Sequence, residues 1–228
     1  MKRSEINAII AKTKELIIEN KVTLPPFAYW STADWDAKGL EVCEIKDCGL
    51  GWDVTDFGSE DFLKIGLTVF TIRNGHRDIE KYAGKTYCEK LLIVEENQVT
   101  PMHYHVFKSE DIICKGGGNL VVEVYNKVDD GEALADTDVD VVLDGVAHIV
   151  SAGHKFVMTP GQSITLTPLM YHAFWAEEGT GTSIVGEVSK VNDDSNDNFF
   201  LDGGVRFPAI EEDEDREHYL CSEYSDKS

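Results

Sequence analysis

The apolar positions of the first twenty residues recur at a spacing of three and four. Ile6, Ile9, Ile10, Leu16 and Ile17 fall on one side, with Lys and Glu between them. That period predicts an amphipathic helix over residues 4–20, with Ser4 as its cap and Glu5 in its first turn. Leu24-Pro25-Pro26 ends it, because proline cannot continue a helix and restricts the residue before it. The aromatic, irregular segment FAYWSTADWDAKG follows, and Tyr29 and Trp30 are the aromatics in it that a pocket would use. From about residue 62 the period falls to two. Short runs such as FLKIGLTVFTIRNG, KTYCEKLLIVEENQ, DVDVVLDGVAHIV and KFVMTPGQSITLTP alternate with Gly- and Asn-containing turns. Such runs without crossover helices predict an all-β sandwich or barrel rather than a parallel α/β sheet. After Ser189 the chain turns polar, KVNDDSNDNFFLDGGVRFPAIEEDEDREHY, which reads as an ordered stretch and then a mobile acidic tail. The expected organisation is a helical and aromatic extension over 1–60, a β-barrel over 61–190, and a polar C-terminal segment over 191–228.

Composition narrows the function more than the fold. A length of 228 residues with 42% hydrophobic residues suits one domain with extensions. No apolar run reaches the length of a membrane span, and the basic start lacks the apolar core of a signal peptide. The formal net charge of −21 makes nucleic acid and anionic membrane poor partners. Five scattered cysteines, Cys43, Cys48, Cys88, Cys114 and Cys221, are odd in number and form no C-x-x-C pair. They read as reduced thiols of a cytoplasmic protein.

The chemistry concentrates in PMHYHVFKSEDI, Pro101 to Ile112. In a strand His103 and His105 project from one face and suit two ligands of one ion. A bend through VFKS returns Glu110 toward them, and His172 in TPLMYHAFW is the best distant fourth ligand. Three imidazoles and a carboxylate, with no thiolate, suit a divalent transition metal such as Mn, Fe, Co, Ni or Zn. Two hairpin registers extend the site. A turn at 95–98 sets Lys90 opposite His103, and a turn at 178–181 sets Glu187 opposite His172. A lysine and a glutamate inside a barrel need a polar partner, which a metal-centred cavity provides. Lys108, in the bend, is placed to stabilise negative charge on a substrate oxygen. The run Asn192 to Asn198 has the oxygens but not the glycine of a calcium loop. It reads as a polar loop whose side chains cap turns, with Asp194 in reach of a bound substrate.

These residues resemble the first cupin motif, with His103, His105, Glu110 and Gly117 in place and Asn97 standing for its leading glycine. The second motif is met loosely, by Gly161, Pro168 and His172, with Ala176 in place of its final asparagine. Over most of the chain, LPPFAYW, KLLIVEENQVTPMHYHVFKSEDII and EVSKVNDDSNDNFF together resemble the D-lyxose isomerase family. That resemblance implies a cupin (jelly-roll) β-barrel, a homodimer, a Mn²⁺-type ion and interconversion of D-lyxose with D-xylulose, with mannose to fructose as a side activity. Aldose–ketose isomerisation fits the residues. Glu187 is the candidate proton-shuttling carboxylate, Lys108 and Lys90 stabilise an enediolate, and the ion acts as a Lewis acid. A hydride shift uses the same set. The rival expectations are an Fe²⁺-dependent cupin dioxygenase and a non-catalytic sugar-binding cupin.

Overall fold

A computed structural model describes residues 1–194 and 196–224. The chain opens with α1 (Arg3–Glu19), then two short helices, α2 (Thr32–Asp36) and α3 (Cys43–Asp47). Thirteen strands follow among the described residues. The first six are β1 (Gly51–Thr55), β2 (Leu67–Arg73), β3 (Tyr87–Val94), β4 (Thr100–Tyr104), β5 (Glu110–Gly117) and β6 (Leu120–Asn126). The rest are β7 (Val139–Leu143), β8 (Val146–Val150), β9 (His154–Met158), β10 (Ser163–Leu166), β11 (Met170–Ala176), β12 (Ser183–Lys190) and β13 (Phe199–Phe200). They form two antiparallel sheets of a cupin-like jelly roll. One has the order β1-β2-β3-β12-β5-β10-β7-β8, the other β13-β4-β11-β6-β9.

Between the sheets lies an apolar core that includes Leu92, Val94, Ile112, Cys114, Val122, Val124, Ile164, Phe174 and Val185. A second cluster covers the outer face of the larger sheet. There Ile6, Ile10 and Ile17 of α1 pack on Trp52, Phe70, Leu91, Ile93 and Ile184. This explains the LLIV run in β3. Leu92 and Val94 face the inner core while Leu91 and Ile93 face the helix, so both faces are apolar and the period of two disappears. The same double burial hides β1, all five of whose residues are buried. The sheet therefore begins at Gly51 rather than near residue 62.

Other expectations shift in detail. The helix starts at Arg3 with Lys2 as its cap residue, and Glu5 Oε2 accepts the Lys2 amide at 2.8 Å. Ser4 does not cap; its amide and hydroxyl donate to Asp213 at 3.0 and 2.8 Å. The acidic C-terminal stretch is packed through Tyr224 instead of trailing free. Its Glu212 and Glu223 grip the fully buried Arg3 guanidinium, Leu220 pairs with Trp52, and the Tyr224 hydroxyl donates to Leu50 O at 2.7 Å. An arginine with its charge matched by two carboxylates is what allows burial. The last four residues, 225–228, of that expected tail lie outside the described residues. Two turn residues behave as the motif requires. Asn97 has φ of 58°, the left-handed turn conformation. Gly117 has φ of 71°, and a Cβ there would meet Thr182 O at 2.2 Å.

The pairing differs from the hairpin arithmetic. β3 and β4 lie in different sheets, as do β11 and β12. Lys90 is opposite Glu187, not His103, and His172 is opposite His103, not Glu187. A jelly roll connects successive strands across its two sheets, so the connections read as hairpin turns were crossovers.

Candidate metal centre and polar cavity

Each strand around the centre carries a polar residue near one end and apolar residues beyond it at a spacing of two. Along β3 the inward series is Lys90, Leu92, Val94; along β5, Glu110, Ile112, Cys114; along β12, Glu187, Val185; along β11, His172, Phe174, Ala176. The barrel interior thus grades from a charged mouth to a dry core, and the core fixes the backbone that holds the charges. His103, His105, Glu110 and His172 are all buried, and their ligand atoms lie within 4.8 Å of one another.

The ring orientations support a metal there. The Nδ1 of each histidine donates to a backbone carbonyl: His103 to Pro101 at 2.8 Å, His105 to Asp197 at 2.7 Å and His172 to Met170 at 3.0 Å. A carbonyl only accepts, so Nδ1 holds the proton and Nε2 keeps its lone pair. The buried Nε2 atoms of His105 and His172 make no hydrogen bond, although Glu110 Oε1 is 3.5 and 3.1 Å away. Unsatisfied, lone-pair-bearing nitrogens converging on a carboxylate fit a divalent cation. Burial, reinforced for His103 by the neighbouring imidazoles, lowers the pKa values of His103 and His105 and keeps them neutral. Burial opposes ionisation of Glu110, but Lys108 and His105 outweigh it and hold its carboxyl well below the usual range.

Beside this set lies a second charged cluster. Lys108 Nζ is 2.7 Å from Glu110 Oε2 and 3.0 Å from Glu187 Oε1. Lys90 Nζ is 3.3 Å from Glu187 Oε1 and 2.7 Å from Asn192 Oδ1. Burial works against the Lys108 charge, yet Glu110 and Glu187 raise its pKa, so it stays an ammonium donor and is no base. Glu187 sits against its own burial penalty too, and Lys108 and Lys90 lower its pKa. Three donors, Lys90, Lys108 and the Ser189 hydroxyl (3.0 Å), all converge on Oε1 of Glu187. Among the described residues no group donates to its Oε2, leaving an ionised oxygen open to a substrate proton.

The space these groups enclose is tight, a cavity of about 40 Å³. Lys90, Lys108, Glu187 and Asp194 all line it, as do Phe57, Phe200 and Arg206. Asp194 is bound by Asn198 Nδ2 at 2.8 Å and Arg206 Nε at 3.4 Å. Arg206 overcomes the burial penalty on Asp194 and holds it ionised. Trp30 is not brought to the cavity. Its ring packs edge-on to Trp35 with centroids 4.9 Å apart and lies under Lys38, in the cluster that joins the N-terminal extension to Cys221 and Tyr224. Phe27, Trp30 and Trp35 are here packing residues, and Tyr29 is exposed.

Sequence reasoning also missed contributors. Asp53 of β1 pairs with Arg206, which sits on the far polar segment. Its signal was an arginine, one of two in a strongly acidic stretch. Asp197 caps the bend that carries Lys108: its Oδ1 accepts the amides of Val106 (2.8 Å) and Phe107 (2.9 Å), and Oδ2 that of Lys108 (3.0 Å). The expectation that the 192–198 run caps turns therefore holds at Asp197. Ser195 within it lies outside the described residues.

Comparison with known proteins places this geometry. The sequence model of the D-lyxose isomerase family matches residues 1–224. A D-lyxose/D-mannose isomerase of Serratia proteamaculans is 50% identical over 225 residues, 98% of each chain. One of Escherichia coli O157:H7 is 49% identical over 227 residues, again 98% of each. Among solved structures, the L-ribose isomerases of Acinetobacter sp. DL28 and Cellulomonas parahominis match with TM-scores of 0.59 and 0.58, each at 15% identity, covering 92% of this chain and 98% of theirs. At that identity the structural likeness speaks to the fold.

Proposed function

Because the chain belongs to the D-lyxose isomerase family, we propose that it is an aldose–ketose isomerase that interconverts D-lyxose with D-xylulose and D-mannose with D-fructose. The observation that carries the chemistry is the pairing of a buried His₃Glu set with a carboxylate, Glu187, that has one oxygen pinned by three donors and the other open. His103, His105, Glu110 and His172 would hold a divalent ion, Mn²⁺ in this proposal, which supplies Lewis acidity toward the sugar's carbonyl. Isomerisation moves one hydrogen from C2 to C1 and one from O2 to O1. Glu187 takes the C2 proton with its open oxygen and returns it to C1. Lys108 and Lys90 face the negative charge that develops on the enediolate, in a low-dielectric setting where fixed cations count most. Without an ion, two lysines balance Glu110 and Glu187, so a bound divalent ion leaves the cavity net positive, which suits a neutral polyol with an anionic intermediate. Asp194 and Arg206 supply an acceptor and a donor for the remaining hydroxyls.

No helix among the described residues is long and apolar enough to cross a membrane. All five cysteines are free thiols, which suits a reducing compartment, and we place the protein in the cytoplasm as a homodimer. The test of function strips the protein with EDTA and refills it separately with Mn²⁺ and Fe²⁺. D-Lyxose and D-mannose are then supplied while ketose and O₂ are followed. The expected result is no ketose from the stripped protein and xylulose and fructose with Mn²⁺ at constant O₂. O₂ consumption with Fe²⁺ and no ketose would replace the isomerase by an oxygenase. In D₂O the ketose should gain deuterium at C1; its complete absence would favour hydride shift over the Glu187 route.

A further inference from the structure

The chamber beside the metal set is too small for a whole sugar. At about 40 Å³ it has room for about three waters, against the roughly ten non-hydrogen atoms of a pentose. A second and larger space adjoins it, a cleft of about 460 Å³, within the range of small-molecule sites. Asp194 lines both. Asn192, whose Oδ1 accepts from Lys90 at 2.7 Å and from Lys108 at 3.3 Å, lines the cleft as well. A chain molecule whose reacting end sits at the metal set therefore has its continuation past Asp194.

One wall of the cleft is the turn after β2, His76 to Asp78, and it is firmly held. His76 Nδ1 accepts the amides of Asp78 and Ile79, each at 3.1 Å. An amide only donates, so Nε2 carries the proton, and among the described residues that N–H has no acceptor. Asn74 Nδ2 donates to Asn192 O at 3.1 Å, and Asn192 N donates to Asn74 Oδ1 at 3.0 Å, which ties the turn to the polar segment. Gly75 leaves no slack, since a Cβ there would meet Lys85 O at 1.8 Å. Arg77 lies over Phe107 at 4.5 Å and reaches Asp193 at 4.0 Å, bridging the chain neighbours of Lys108 and Asp194. Asp78 is exposed, and among the described residues its carboxylate takes no hydrogen bond or ion pair. The turn thus brings one free donor and one free acceptor to the cleft. The charged lining is Asp47, Asp78, Asp193 and Asp194 against Arg77. Lys81 answers Asp47 and Arg206 answers Asp194, so what remains is net negative. That disfavours a phosphorylated end and suits hydroxyls.

We propose that this cleft is the subsite for the end of the sugar remote from its carbonyl, with His76 as donor and Asp78 as acceptor to the terminal hydroxyl of an unphosphorylated aldohexose. The inference rests on the isomerase reading. The carbonyl end lies at the metal set, Asp194 and Arg206 take the middle hydroxyls, and the last carbon passes Asp194 into the cleft. A hydroxyl both donates and accepts, so it satisfies the two groups together. A pentose ends one carbon sooner and gains less from them.

The test compares D-mannose with 6-deoxy-D-mannose, which lacks only the terminal hydroxyl, on the full, metal-loaded chain. Wild type is expected to favour D-mannose by about tenfold in kcat/KM, the scale of two hydrogen bonds. Asp78→Ala and His76→Asn should each cut that preference by about threefold, and the double variant should abolish it. Asparagine can keep an acceptor for the two amides while removing the outward donor, so the turn keeps its shape. A variant that only loosens the loop lowers both sugars alike and leaves their ratio as it was. A wild type indifferent to the hydroxyl, or variants that keep the full preference, would overturn the subsite and leave the isomerase intact. Ketose from neither these sugars nor D-lyxose with loaded wild type would sink the isomerase reading and the subsite with it.

Discussion

Asp197 makes four contacts in the bend between His105 and Lys108, three through its carboxylate and one through its carbonyl. It orients His105 of the candidate metal set and the cavity-lining Lys108 at once. Asp197→Ala removes the carboxylate caps and should weaken metal affinity by about 10–100-fold. Titration of the stripped variant with Mn²⁺, followed by the ion's paramagnetic signal, checks this; wild-type affinity would show that the bend holds itself. This residue also marks the limit of legibility. The convergence of His103, His105, Glu110 and His172 was readable because their spacing carries the chemistry: a histidine pair on one strand face, and a carboxylate one bend away. Asp197 and Arg206 were not, because they act from 89 or more residues away and nothing local distinguishes a capping aspartate in NDDSNDN from its neighbours. Trp30 failed for the opposite reason. An aromatic residue without a polar companion is as useful for packing as for binding.

α1 is joined to the sheet by side chains alone, without sharing its ladder. Ile10 is fully buried, in the same cluster as Leu91, Ile93 and Ile184. Ile10→Ala should cost about 2–5 kcal/mol, the range for a buried aliphatic truncation that leaves a cavity. Urea unfolding at equal m-value measures it; a loss below about 0.5 kcal/mol, the scale of a surface change, would mean that the helix contributes little. The helix was legible because it has one apolar stripe and one polar face. β1 and β3 were harder, since strands covered on both faces lose the alternation that identifies them. Strand pairing was least legible. Lys90 and Glu187 do face the cavity as expected, but by pairing with each other. Alternation sets which face a residue takes, and only the tertiary path of the jelly roll sets its neighbour.

Over the whole molecule, the two ends of the chain are clamped together. Arg3 at the start of α1 is fully buried and holds Glu212 and Glu223 of the last described segment. The hydrogen bonds from Arg3 and Arg216 push Glu212 down to about 2 from its ordinary 4.5. A depressed carboxyl stabilises the fold fully above its ordinary value and loses that contribution as pH falls through the folded one. Arg3→Met should therefore lower Tm most at pH 6–7, with the deficit shrinking below about pH 4.5 and nearly gone by pH 2. A deficit independent of pH would mean that packing of the arginine stem, and not the ion pairs, holds the termini.

The central claim is that Glu187, beside a buried metal set, moves the proton of an aldose. The direct measurement is the rate of D-xylulose formation from D-lyxose by wild type and by Glu187→Gln, each loaded with Mn²⁺ and each with its bound ion quantified. The account predicts turnover by wild type and a loss of about 10²–10⁴-fold in kcat for the variant at equal ion content. A variant that binds the ion and turns over like wild type, or a loaded wild type that makes no xylulose, would contradict it.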